Sequence, residues 1–172
     1  SEVPLHSAID VETADLNADG WSDLIVGCYA DGVTHEHDLG SHILWGSADG
    51  FRQSNSQWLP GFTPIGHCVA DFDADGHLDL FSPHYHGNGT RETIPSYLFW
   101  GSASGFDASR LTELVCDSAD DALAADFDRD GKLDLAVVNH ARNGAHHTVS
   151  RVFYNAGQRF AEMRASGGLR RK

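Results

Sequence analysis

Residues 71–80 read DFDADGHLDL, and the same order of acids, glycine and closing leucine recurs at 15–24 (DLNADGWSDL) and 126–135 (DFDRDGKLDL). The three starts lie 56 and 55 residues apart. A second landmark keeps step with the first: SHILWGSADGF begins at Ser41, SYLFWGSASGF at Ser96 and SRVFYNAGQRF at Ser150, at intervals of 55 and 54. Two different landmarks on one period mark three copies of a single structural unit.

Each copy reads as four short strands. A small-residue approach (10–14, 66–70, 122–125) enters the acidic segment, and a second stretch leaves it (24–29, 80–85, 135–140). After a polar connection comes a third stretch, HILW (42–45), YLFW (97–100) or RVFY (151–154), and fourth strands are expected to start at Phe51, Phe106 and Phe160. The second and third stretches are apolar at nearly every position, as in a strand covered on both faces. Four-stranded antiparallel sheets stacked side by side make an all-β propeller. The expected blades cover residues 8–60, 61–116 and 117–166, with Trp45, Trp100 and Tyr154 packing between them. A doubly wound α/β fold would need long helices between strands, and Gly, Pro, Asn and Ser interrupt these connections.

The acidic segments have the donor pattern of a calcium loop. Counting from the first acid, positions 1, 3, 5 and 9 are Asp15, Asn17, Asp19 and Asp23; then Asp71, Asp73, Asp75 and Asp79; then Asp126, Asp128, Asp130 and Asp134. Glycine at position 6 (Gly20, Gly76, Gly131) permits a sharp turn, and the position-7 carbonyl (Trp21, His77, Lys132) adds a further oxygen. Ca²⁺ takes roughly six to eight hard oxygen donors, and side chains at alternate positions of a tight loop converge to supply them. Carboxylates this close repel without a cation. An EF-hand would need a glutamate at position 12, where Val26, Ser82 and Val137 stand. Three Ca²⁺ sites are therefore expected, the first weaker because Asn17 removes one charge. Leu16, Phe72 and Phe127 at position 2, and Leu24, Leu80 and Leu135 after position 9, are expected to be buried plugs.

The charge supports this reading. The net charge is −13, and eleven of the 25 acids lie in the three loops, so three divalent ions would bring it to −7. Such acidity argues against nucleic acid as a partner. No apolar run is long enough to span a membrane, and SEVPLHSAID lacks a basic-then-apolar leader pattern. Cys28, Cys68 and Cys116 have no close pairing, and their disulfide state stays open.

The pattern D-x-[DN]-x-D-G-x-x-D-L, followed by a strand and an aromatic-Gly/Asn turn, resembles the FG-GAP/VCBS repeats of integrin-α-type propellers over roughly residues 8–162. The resemblance implies one blade per repeat, one Ca²⁺ per loop at the acidic positions named above, and extracellular, periplasmic or cell-surface recognition or adhesion instead of catalysis. Such propellers usually have about seven blades, within the general range of four to eight. Three blades would leave two apolar faces uncovered. Two partners are expected for them: a second copy, closing a six-bladed ring, or the remaining blades of a larger propeller. SEVPL aligns with QWLPG (57–61), FAEMRAS (160–166) is expected to form the last fourth strand, and GGLRRK to form a tail.

The connections between second and third strands hold most of the histidines, and topology places them at the end of the blades opposite the acidic loops. His35, His37, His84, His86, His140, His146 and His147 are candidate ligand-binding residues there. Three readings stand: locally bonded loop histidines, a surface for a glycan or protein, or a transition-metal site. A Ser–His–Asp arrangement around Ser41, Ser96 or Ser150 has no ordering motif behind it. The leading expectation is a non-enzymatic Ca²⁺-dependent recognition module. The alternatives are a self-assembling propeller subunit and a polysaccharide-active enzyme.

Overall fold

The computed structural model describes residues 5, 7–29, 37–85, 93–141, 148–157 and 160–162. Three antiparallel four-stranded sheets follow one another along the chain without closing into a ring. The first blade is β1 (Ala8–Ala14), β2 (Asp23–Cys28), β3 (Ser41–Leu44) and β4 (Ser56–Leu59). The second is β5 (Cys68–Ala70), β6 (Asp79–Ser82), β7 (Thr93–Phe99) and β8 (Leu111–Asp117). The third is β9 (Ala119–Ala125), β10 (Asp134–Asn139), β11 (Arg151–Asn155) and β12 (Phe160–Glu162). Each blade meanders in sequence order, and the position-9 aspartates open β2, β6 and β10.

The middle blade explains the continuous apolar runs. Leu80 and Phe99 join Leu16, Ile25, Ile43, Leu59 and Phe106 in the joint between blades one and two. Their neighbours Phe81 and Leu98 join Phe72, Leu114, Leu135, Val137 and Phe153 in the joint between blades two and three. Successive side chains point to opposite faces, and here both faces are covered. Phe81, Phe99, Leu80 and Leu98 have no exposed surface, and each contributes about 1.5–3 kcal/mol of burial. Cys28, Cys68 and Cys116 are also buried, and none is in a disulfide. Burial pushes the Cys68 and Cys116 thiols up to about 11.

The last fourth strand starts at Phe160 as expected, and the other two depart from expectation. β4 and β8 begin at Ser56 and Leu111, five residues after Phe51 and Phe106. Two successive turns intervene in each blade: Gly50 N donates to Ser47 O and Asn55 N to Arg52 O, with Gly105 N to Ser102 O and Arg110 N to Asp107 O in the second. Pairing resumes where Trp45 N donates to Asn55 O and Trp100 N to Arg110 O, both at 3.1 Å. Phe106, between the turns, drops into the first joint instead of starting a strand.

Glycine follows the aromatic in two blades because the chain passes close to a neighbour. A Cβ on Gly46 would lie 2.2 Å from Ser22 O, and one on Gly101 2.1 Å from Leu78 O. Trp100 stacks on Phe160 of the next blade, and Trp45 reaches Gly105 of the next blade. A third repeated device ties each blade's entry to its second strand. Ser7, Thr63 and Ser118 adopt φ of 51°, 47° and 48°. Their carbonyls accept from Tyr29 N, Tyr85 N and His140 N at 2.9, 3.2 and 2.8 Å.

Candidate metal loops and the histidine face

The three acidic loops fold alike. Position 4 (Ala18, Ala74, Arg129) has φ of 56°, 58° and 66°, and the position-6 glycines have φ of 89°, 90° and 88°. A left-handed pair this tight suits glycine at the second site. The carboxylates themselves hold the turn. Position 1 accepts from the backbone N–H of position 5 and of the glycine (Asp15 from Asp19 and Gly20, 3.0 and 2.9 Å; Asp71 from Asp75 and Gly76, 3.1 and 3.0 Å; Asp126 from Asp130 and Gly131, 3.1 and 3.0 Å). One oxygen of position 3 accepts from the N–H of position 5, and one oxygen of position 5 from the N–H of position 7.

Position 9 has a second job. Asp23 accepts from Leu16 N and Gly46 N, both at 2.8 Å; Asp79 from Phe72 N and Gly101 N, both at 2.8 Å; Asp134 from Phe127 N and Asn155 N, both at 2.9 Å. These three carboxylates are buried, and each clamps the loop to the chain at or just beyond the end of the blade's third strand. Burial raises Asp79 to about 6, with the charges of Asp73 and Asp71 adding to it. Asp23 is raised by burial and by Asp19 and Asp15, and Asp73 by burial and by Asp75.

The loops differ where a cation would be held. Carboxylate oxygens of Asp71, Asp73 and Asp79 that could hold a cation lie within 4.8 Å of one another, as do those of Asp126, Asp128 and Asp130. In the first loop the Asn17 amide nitrogen donates to Asp19 Oδ2 at 3.1 Å. That amide stands where the other loops keep a carboxylate oxygen, and it satisfies an acid that a cation would otherwise neutralise. In the third loop the Lys132 ammonium pairs with Asp130 Oδ2, and this contact holds the Asp130 carboxyl below its usual range. Trp21 is half-exposed. Of the position-2 residues, Leu16 and Phe72 are 3% exposed but Phe127, which is uncovered among the described residues, is 42% exposed. Leu80 and Leu135 are buried, while Leu24 is only partly so, on the uncovered face of the first blade.

Among the described residues the candidate histidines His37, His84 and His140 each have separate partners. His35, His86, His146 and His147 lie outside the described residues. His84 is a core residue: it has no exposed surface, its Nδ1–H donates to Pro95 O at 2.6 Å, and Phe62 and Tyr97 meet its ring edge-on. Its Nε2 has no partner, and burial pushes the imidazole down to about 3. His37 sits edge-on to Tyr29, with Nδ1 at 3.2 Å from Tyr29 O and 3.3 Å from Thr63 Oγ1. His140 pairs with Asp120 at 3.2 Å and lies against Tyr85. No described histidine belongs to a cluster of three metal-capable side chains.

A chain of polar groups that no motif announced crosses the first joint. The Nδ1–H of His67 donates to Asp10 Oδ2 at 2.7 Å, and the Ser41 hydroxyl donates to His67 Nε2 at 2.8 Å. The bond from His67 holds Asp10 below its usual range. The order matches that of a hydrolytic triad, but the Ser41 residue and the His67 side chain have no exposed surface, so no substrate reaches the hydroxyl. The arrangement binds blade one to blade two.

Meandering four-stranded blades joined through apolar faces, each with an acidic loop between its first two strands, define a repeat protein of the β-propeller class. The FG-GAP-like repeat family model matches residues 15–82, so this stretch, with the first two acidic loops, carries FG-GAP-like repeat sequence. Over 146 residues it is 30% identical to the phosphatidylinositol-glycan-specific phospholipase D of Mus musculus, and over 148 residues 29% identical to that of Bos taurus. Each match covers 73% of this chain, which spans 17% of the length of either relative. Among the described residues no helix is long and apolar enough to cross a membrane.

Proposed function

We propose that this protein is a calcium-binding propeller module that recognises a glycan or a protein, outside the cell or in the periplasm, and that it is not itself an enzyme. The observation that carries the reading is the acidic loop built three times with the same hydrogen bonds, two copies of which gather three carboxylates within 4.8 Å. The donor set fits Ca²⁺: every side-chain donor is a hard oxygen, and the glycine turn leaves a carbonyl at position 7. Asp71, Asp73, Asp75 and Asp79 would hold one ion and Asp126, Asp128, Asp130 and Asp134 another, with Asp15, Asn17, Asp19 and Asp23 a weaker third. The bound ion would neutralise acids that repel one another. This chain's part is to hold those acids at the head of each blade's second strand.

The recognition half rests on the family and on the polar connections at the opposite end of the blades, where His37 and His140 are partly exposed. The extracellular setting rests on the family and on the calcium supply such loops need. The phospholipase activity in the relatives' name is not carried over to a chain spanning 17% of their length. A second reading, a subunit that closes a ring with its own copy, is favoured by one observation. The outer faces of the first and third blades expose Val11, Leu123 and Val138, each at 49% or more.

Native mass spectrometry and calorimetry in calcium test the metal half, with three ions expected, one weaker than the others. A dialysed chain that takes up no calcium refutes it. A glycan array run with and without EGTA tests the sugar version of the recognition half, which no binding in either state refutes.

A further inference from the structure

The joints between blades follow a rule that the third blade's open face continues. Five residues before the first acid of each loop stand Asp10, Gly66 and Asp121; four before it stand Val11, His67 and Ala122; and the repeated serine of the third-strand landmark is Ser41, Ser96 or Ser150. At the first joint, Asp10 and Ser41 of blade one receive His67 of blade two. At the second joint the same places hold Gly66, Ser96 and Ala122. A side chain at Gly66 would collide with the Asp120 carbonyl at 2.4 Å. A carboxylate on one blade thus goes with an imidazole on the next, and where the carboxylate is missing, so is the imidazole.

The third blade presents Asp121 and Ser150, both exposed, beside an apolar recess of about 390 Å³ lined by Leu123, Ala136, Val138 and Val152. Its Phe127 is uncovered, whereas Phe72 meets Phe160 of the following blade at 5.5 Å, and Leu16 shares a cluster with Phe106 of the following blade. We propose that this face is a docking surface for a blade of the same type that carries an imidazole at the His67 position and an aromatic ring after its third strand. Asp121 and Ser150 receive the imidazole as Asp10 and Ser41 do. Asp121 Oδ1 accepts from Ala122 N at 2.8 Å, and an apolar neighbour would bury the second oxygen of this carboxylate without a donor. A second copy of this chain meets only half of the requirement: its first blade offers Phe51 beside its own exposed recess but has Val11 where the imidazole belongs. The inference rests on the blade joints and is independent of the calcium reading.

Val11 is 62% exposed, so Val11→His converts the first blade into the partner described without disturbing the core. In sedimentation velocity at fixed calcium, the V11H chain should associate at least about tenfold more tightly than the unmodified chain, as one charge-assisted and one neutral hydrogen bond would give. Adding Asp121→Asn, or Ser150→Ala as an independent check, should remove most of that gain while circular dichroism shows the blades intact. No gain in V11H overturns the proposal, and so does a gain that survives D121N. An unmodified chain that pairs with itself as tightly as V11H also overturns it and assigns the face to a second copy without an imidazole.

Discussion

Replacing Asp79 with asparagine separates the two jobs of a position-9 acid. Asp79 is 1% exposed, and its two oxygens accept from Phe72 N and Gly101 N, each at 2.8 Å. Asparagine offers one acceptor oxygen, so its amide nitrogen would face one of those N–H groups, donor against donor. One bond to a charged acceptor is lost, worth about 1.5–3 kcal/mol, and a buried N–H is stranded at a cost of about 1–3 kcal/mol. Removing a carboxylate that burial disfavours returns part of this, so the net loss is about 2–4 kcal/mol. Asp73→Asn is the control. Its oxygen accepts only from Asp75 N within the loop, at 3.2 Å, and an asparagine oxygen replaces it, so the cost is below about 1 kcal/mol. Urea unfolding in EDTA should show D79N clearly destabilised and D73N near the parent. In calcium both should also lose metal-dependent stabilisation. Equal midpoints for D79N and D73N in EDTA would refute the clamp and leave position 9 as a ligand alone.

Asn17→Asp should tighten the weakest calcium step in calorimetry, because it restores a fourth carboxylate and removes the amide that bonds Asp19 Oδ2 at 3.1 Å. An unchanged weakest step would place that step in another loop. His84 should make the fold acid-sensitive. Its imidazole titrates near 6.5 when unfolded and near 3 when folded, so the unfolded chain binds the extra proton between those values. Stability from this group is complete above pH 6.5 and falls at up to about 1.4 kcal/mol per pH unit on the way down. Denaturation of His84→Phe at matched pH values should show a shallower slope over that window than the parent shows.

The repeat and the acidic loops were legible because their residues are close in sequence and recur on a period. The same holds for the second strands, whose position-9 acids sit at the start of β2, β6 and β10. The sequence places β12 correctly at Phe160 but β4 and β8 too early, because Phe51 and Phe106 look like strand residues and only the paired turns of 47–55 and 102–110 reveal that the chain has not yet rejoined the sheet. His84 stands near the end of the second stretch (80–85), where an imidazole reads as the start of the polar connection, and its burial depends on Phe62 and Tyr97, which are distant in sequence. The Asp10–His67–Ser41 chain joins positions 57 and 26 residues apart across two blades. No periodicity within one unit encodes such a contact, because the joint belongs to a pair of units. Phe127 shows the same dependence: an equivalent position to Phe72, it is exposed for want of a neighbour among the described residues.

The three thiols give the molecule an internal reporter. A protonated, enclosed sulfur does not attack alkylating reagents, since only the thiolate is nucleophilic. Cys68 and Cys116 lie inside the joint of the second and third blades. Their modification rate therefore counts the moments when those two sheets part, and an oxidising medium leaves the folded protein untouched while marking any copy that has begun to come apart.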